Sequence, residues 1–146
     1  MLHLVRKTLG AGMAALTLAA CGGDATGNDP DAVVGQYVLI SINALPLPVI
    51  VDQIGDDIAE VTGGTVTVDA DGTFGDVTNL RFTESGVVTT EVDATQGNWT
   101  LSGTTVTFTP NDGSGTYTMT WNGQDRLTQL FRPDPNLPGF TLIYER

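Results

Sequence analysis

The chain has 146 residues, 17 acidic against six basic, and a formal net charge of −11. A field of that sign repels phosphate backbones and excludes a nucleic-acid partner. A single cysteine rules out an internal disulfide, and one histidine at position 3 leaves transition metals without their usual imidazole and thiolate ligands.

Met1 to Lys7 carries Arg6 and Lys7, charges that favour the cytoplasmic side during membrane insertion. Thr8 to Ala20 is apolar and rich in small residues, the length of a signal-peptide core and too short for a stable bilayer-spanning helix. It ends in Leu18-Ala19-Ala20-Cys21, a branched apolar residue and two small ones before a cysteine. This tetrapeptide resembles the lipobox of bacterial lipoproteins. The resemblance implies that residues 1–20 are removed and that the Cys21 thiol receives a diacylglyceryl group. Two or three acyl chains, at about 0.8 kcal/mol per buried methylene, would hold the protein durably on a membrane. Gly22 follows Cys21 where inner-membrane lipoproteins commonly carry aspartate, so the outer membrane is the expected location, with the domain facing the periplasm or the cell surface.

Beyond Cys21 there is no lysine or histidine, and Arg81, Arg126, Arg132 and Arg146 face all 17 acids, a formal charge of −13. An anionic lipid surface repels such a domain and leaves anchoring to the acyl chains. The same charge serves solubility or a basic protein partner.

Residues 21–34 read as a lipidated cysteine and a flexible tether, because Gly22 to Asp31 has no apolar periodicity. Residues 35–146 suit one domain with one core. From Gly35 onward the pattern has period two, with turn residues every eight to twelve positions. The predicted strands are Gly35–Ile42, Glu60–Asp69, Thr73–Thr83, Val87–Thr95, Asn98–Leu101, Thr104–Thr109, Gly115–Trp121, Arg126–Phe131 and Phe140–Tyr144. Leu45–Val51 adds a short edge strand, and Val51–Glu60 has room for one helical turn. Threonines alternate with Val106, Phe108, Tyr117, Met119 and Trp121, which puts the threonines outside and the larger residues inside. Ser85-Gly86, Asn111-Asp112-Gly113 and Asn122-Gly123 supply hairpin turns. The expected fold is all-β: an antiparallel up-and-down barrel of about eight strands, with a β-sandwich as the alternative.

Gly35-Gln36-Tyr37-Val38-Leu39 is similar to the opening strand of bacterial lipocalin-like lipoproteins. Gly64 to Phe74 matches their second hairpin. Gly97-Asn98-Trp99 with Ser102 to Phe108 resembles their central G-x-W and G-x-x-V-x-F stretch, and Leu142 to Arg146 their closing strand. The resemblance covers nearly all of Gly35–Arg146, and its motifs are architectural, with glycines in turns and aromatics in the core. Lipocalins proper carry G-x-W near the first strand, so no lipocalin ligand transfers to this chain.

Catalysis is not expected, since the usual nucleophile-activating bases are missing after Cys21. Asp56-Asp57 are adjacent in sequence, which does not create facing carboxylates. Asp69-x-Asp71-Gly72 with Asp76 has the look of a calcium-loop start, but strand flanks favour a hairpin. No metal and no cofactor are expected. Leu80, Phe82, Trp99, Phe108, Tyr117, Trp121, Phe131 and Phe140 can line an apolar cup or fill it, and Gln129 is a polar contact if it faces inward with Leu127 and Phe131. Leu45–Val51, with two prolines, reads as a lip over the barrel mouth, a docking surface or a strand covering the barrel end. Two functions remain open: a membrane-tethered, non-enzymatic lipocalin-like domain that binds an apolar small molecule, or an envelope interaction or inhibitor module whose acidic face meets a basic partner.

Overall fold

A computed structural model describes residues 29–132 and 139–146. The expected leader and Cys21 lie outside the described residues.

Ten strands follow one another among the described residues: β1 (Gly35–Ile42), β2 (Leu45–Pro46), β3 (Val49–Ile54), β4 (Asp57–Val68), β5 (Thr73–Glu84), β6 (Val87–Ser102), β7 (Thr105–Pro110), β8 (Tyr117–Trp121), β9 (Arg126–Phe131) and β10 (Phe140–Glu145). Each of β4 to β9 pairs antiparallel with the next. β1 closes the ring by pairing with β10 on one side and β4 on the other. The result is a closed eight-stranded up-and-down barrel with β2 and β3 as additional strands, so the sandwich alternative falls away. Closure follows from the chain order, because sequential hairpins leave only the first and last strands of the meander unpaired.

β1 has to serve two neighbours. Its first half, Gly35 to Val38, pairs with Val68 to Thr65 of β4. Its second half turns back through Asn43-Ala44, both at positive φ, to pair with β2. An irregularity between Leu39 and Ser41 re-aims the strand, so that Tyr37, Leu39 and Ile42 all point inward. The first half of β4 is thereby released to pair with β3, through a two-residue turn at Gly55-Asp56. That hairpin replaces the helical turn expected over Val51–Glu60. Ile54 and Asp57 face each other across it, and antiparallel pairing continues to Val49 and Val61 with one irregularity between Ile50 and Asp52.

The stretches read as Val87–Thr95 and Asn98–Leu101 form one 16-residue strand. β6 pairs with β5 from Val87 to Asn98, and with β7 only from Gly97 to Ser102. Gly97, which reads as a break, is instead a close-packing position inside a continuous strand. The Ser85-Gly86 turn takes positive φ at both residues, as a tight two-residue hairpin requires.

The packed body also begins earlier than Gly35. Pro30–Ala32 forms a single 3-10 turn that Asp29 caps, Val33 is fully buried, and the Tyr37 hydroxyl donates to the Val33 carbonyl at 2.8 Å. At the same end, the Arg146 guanidinium donates to the carbonyls of Val34, Ala32 and Gln124 and lies 5.4 Å from the centre of the Tyr37 ring. The two ends of the described chain therefore seal one end of the barrel together.

Inside that half the core is continuous, comprising Tyr37, Leu39, Val66, Val68, Phe74, Trp99, Val106, Phe108, Met119, Trp121, Leu127 and Tyr144. Thr105, Thr109, Thr116, Thr118 and Thr120 face solvent, as the alternation predicts. Outside, Arg81 meets Glu60 and Arg126 meets Glu145, each at 2.6 Å across neighbouring strands. Such pairs on a wet surface add little to stability, because water screens them.

Candidate functional site

The opposite half of the barrel is not filled. β7 ends at Pro110 and β8 begins at Tyr117, so the wall beside the far half of β6 is completed by the loop through Ser114, Gly115 and Thr116. The inward faces of β5, β9 and β10, with Ile42, Val51 and Val61, border a cup of about 930 Å³ that is open to solvent on one side. That lies within the roughly 300–1,000 Å³ typical of small-molecule sites.

The floor is aromatic. Phe74 meets Phe108 edge to face at 4.9 Å, and Phe108 stacks on Tyr117 at 5.1 Å. Tyr117 is the member of this trio that lines the cup. The walls are apolar at Leu80, Phe131, Phe140 and Leu142, and polar at Asp76, Thr78, Asp93 and Gln129. Arg132 lies at the rim and is exposed.

The alternation of β5 puts Asp76 inside. Phe74, Asp76, Thr78, Leu80 and Phe82 share one face, opposite Gly97, Thr95, Asp93, Glu91 and Thr89 of β6. The Tyr117 hydroxyl donates to Asp76 Oδ2 at 2.8 Å, while Oδ1 is buried with no partner among the described residues. Burial raises the Asp76 pKa above the usual carboxylate range; the Tyr117 hydrogen bond pulls it down in part, and the nearby charge of Asp93 adds to the rise. Burial and the Asp76 charge together hold the phenols of Tyr117 and Tyr144 protonated far into alkaline solution, so Tyr117 is a fixed donor.

A pH dependence follows. The folded Asp76 carboxyl binds its proton more tightly than the unfolded one, so the folded state holds more protons in that window. Stability therefore falls as pH rises from the unfolded value, about 3.9, through the raised folded value. Asp76→Asn keeps an acceptor for Tyr117 and removes the charge facing Asp93 and Tyr144. Urea denaturation at a series of pH values is expected to show the variant gaining on the parent as pH rises through that window, then holding a constant advantage. A stability difference that does not vary with pH would show that Asp76 titrates normally.

Of the residues read as cup-lining, Leu80, Tyr117, Gln129, Phe131 and Phe140 come together in the cup. Gln129 faces inward with Leu127 and Phe131, opposite Leu142. Phe82 is half-buried on the same face of β5, one pleat beyond Leu80. Trp99, Phe108 and Trp121 do not line the cup, because they are buried in the filled half. There Trp99 donates its indole N–H to the Asp69 carbonyl at 2.8 Å and so ties β6 to the β4–β5 turn.

Asp71 closes that turn, accepting from the backbone and the hydroxyl of Thr73 at 3.0 and 2.6 Å. These bonds lower its pKa. Among the described residues, no three His, Cys, Asp or Glu side chains gather as a group that could hold a metal ion. Asp57 accepts from the Ser85 backbone N–H at 2.9 Å, joining the β3–β4 and β5–β6 turns, while Asp56 is exposed.

The Leu45–Val51 segment divides its roles. Leu47 and Val49 pack on the core, Val51 lines the cup, and Leu45 and Ile50 face outward. Asp76 was not among the expected site residues. The period-two pattern from Phe74 to Phe82 carries the signal that places it inside.

No protein-family model matches the chain, and no curated protein sequence matches it.

Proposed function

We propose that this chain is a lipid-anchored envelope protein whose lipocalin-like barrel is a non-enzymatic binding module for a small, largely apolar molecule. The observation that carries the reading is the cup: a barrel filled at one end and open over about 930 Å³ at the other. An open concavity with mostly apolar walls and a few convergent polar groups is the usual form of a small-molecule site. The anchoring part rests on Leu18-Ala19-Ala20-Cys21 behind an apolar stretch and two basic residues, and Gly22 favours the outer membrane. The non-enzymatic part rests on the absence of lysine and histidine after Cys21.

One experiment addresses both parts. The full chain is expressed in a bacterial host, extracted from its envelope in mild detergent and weighed under native and denaturing conditions. The expected denatured mass is that of a chain starting at Cys21 with diacylglyceryl and acyl additions, and the native mass carries a further small molecule lost on unfolding. An unmodified chain retaining residues 1–20 would overturn the anchor. A native mass equal to the denatured one, unchanged after incubation with lipid extracts, would overturn the binding module.

A further inference from the structure

β6 carries a long unpaired edge. β7 accompanies it only from Gly97 to Ser102, so among the described residues Val87 to Thr95 pair on the β5 side alone. Val87 to Ala94 are all exposed, and Val87, Val88 and Val92 leave 59–64% of their surface in water. Two contacts fix where the backbone groups of this edge point. The Gln96 carbonyl accepts from the Asn111 N–H at 2.9 Å on the β7 side, and the Trp99 N–H donates to the Gly72 carbonyl at 2.9 Å on the β5 side. Backbone groups alternate sides along a strand, and β6 keeps an unbroken register with β5. Val88, Thr90, Val92 and Ala94 therefore aim N–H and C=O at the open side. Natural sheets interrupt such edges with lysine, proline or a bulge. The outer edge of β3 is interrupted in this way between Ile50 and Asp52, whereas Val87 to Ala94 has none of the three.

Another strand is what fits such an edge, and the charges on β6 select its register. In an antiparallel two-fold pair of β6 with itself, opposed residues share parity, so the axis passes through a residue. An axis at Glu91 sets Glu91 on itself, one at Val92 sets Glu91 on Asp93, and one at Asp93 sets Asp93 on itself. Each of these places like charges directly opposite, which is destabilising. An axis at Thr89 avoids the clash but reaches only from Val87 to Glu91. An axis at Thr90 extends from Val87 to Asp93, opposing Glu91 to Thr89 and Asp93 to Val87. On the outer face it sets Val88 against Val92 on both sides of the axis, with Thr90 meeting its own copy. The valines exposed in the single barrel then cover one another, and Val88, Thr90 and Val92 exchange paired backbone hydrogen bonds.

We infer that the partner of this edge is a second copy of the chain, joined antiparallel through β6 about a two-fold axis at Thr90. The dimer requires neither an occupied cup nor a lipid anchor. A contact this short buries less than the roughly 1,200 Å² of a stable interface, so the dimer is a weak one that forms with rising concentration.

The test is sedimentation equilibrium of the full chain in density-matched detergent, over a concentration series at low and high salt. Single cysteine substitutions under mild oxidation by copper phenanthroline accompany it. The expected result is a monomer–dimer equilibrium that high salt strengthens, because two acidic chains repel. Thr90→Cys is expected to give a disulfide-linked dimer, since opposed Cα atoms in a hydrogen-bonded antiparallel pair lie about 5.5 Å apart, within disulfide reach. The parent, with Cys21 alone, and Val88→Cys are expected to stay unlinked, because Val88 faces Val92 and not itself. Val92→Pro removes an N–H that β5 does not use, so it is expected to keep the parent's urea midpoint and weaken dimerisation about tenfold. If that variant does not fold, the cysteine pattern decides alone. A monomer at every concentration overturns the second copy as partner. A dimer in which Thr90→Cys does not link, in which Val88→Cys links as readily, or which a folded Val92→Pro leaves intact, lies in another register or on another face and overturns the proposal. Open-ended oligomers, or association that salt abolishes, overturn it too.

Discussion

Gly97→Ala is expected to destabilise the domain by about 3 kcal/mol, at the upper end of what overpacking a core costs. A Cβ at Gly97 would lie 2.7 Å from the ring of Phe74 and 2.8 Å from Cα of Pro110, and closer still to the Thr109 carbonyl oxygen. Two of these neighbours are backbone atoms of β7, paired to Gly97 and Asn98, so relief requires the sheet itself to spread. Glycine is needed here for close approach. It lets the Phe74 ring edge sit over β6, and two residues on Trp99 fills the same face. Gly75→Ala is the internal control, since nothing lies within 4 Å of its added Cβ. That variant is expected to be neutral or to gain about 0.5 kcal/mol through reduced freedom of the unfolded chain. Urea denaturation of the two variants checks the pair, and similar losses for both would show that Gly97 is not a packing constraint.

Phe108→Ala is expected to cost about 3–5 kcal/mol, the range for a buried phenylalanine truncated in a core. Phe108 is fully buried, edge to face with Phe74 and stacked with Tyr117, so its loss opens a cavity directly beneath the floor of the cup. The change reaches the site as well. Tyr117 loses the ring that orients it, and its hydroxyl bond to Asp76 depends on that orientation. Phe108→Leu, which retains most of the volume, is expected to recover more than half of the lost stability. The midpoint of urea unfolding reads both variants. A loss below about 1 kcal/mol for Phe108→Ala would mean that the floor collapses freely and that the two halves of the barrel are not mechanically linked.

Much of the barrel is legible in the residues. Thr104 to Thr109 and Thr116 to Trp121 alternate so regularly that only one face can be buried, and a one-residue slip would expose Phe108 and Met119. The hairpin residues Ser85-Gly86 and Asn122-Gly123 set where the chain reverses. Alternation ties Gln129 to Leu127 and Phe131 without fixing the register, and the structure turns all three inward. Alternation also contained Asp76, between Phe74 and Thr78, although a carboxylate in that pattern reads more readily as part of a turn.

Local pattern assigns a residue to a face, whereas its neighbours across the barrel decide whether that face is filled. Trp99, Phe108, Trp121 and Tyr117 all read as inward aromatics, yet three complete the sealed half and one forms the floor of the cup. The difference lies in strand ends. β7 stops at Pro110 and β8 starts at Tyr117, while β5 and β6 continue past them, so the far half of the barrel has fewer inward side chains than its circumference needs. The partner switch of β1 and the early packing of Val33 under Tyr37 are likewise long-range events with no short-range signal. The sequence by itself determined most of the strands and their faces, most of the turns and the acidic surface, because these depend on period, propensity and charge along a few residues. Only the tertiary structure decided which end is closed, which is open, and that Tyr117 holds Asp76 inside the barrel. Those outcomes depend on residues far apart in the chain competing for one enclosed volume.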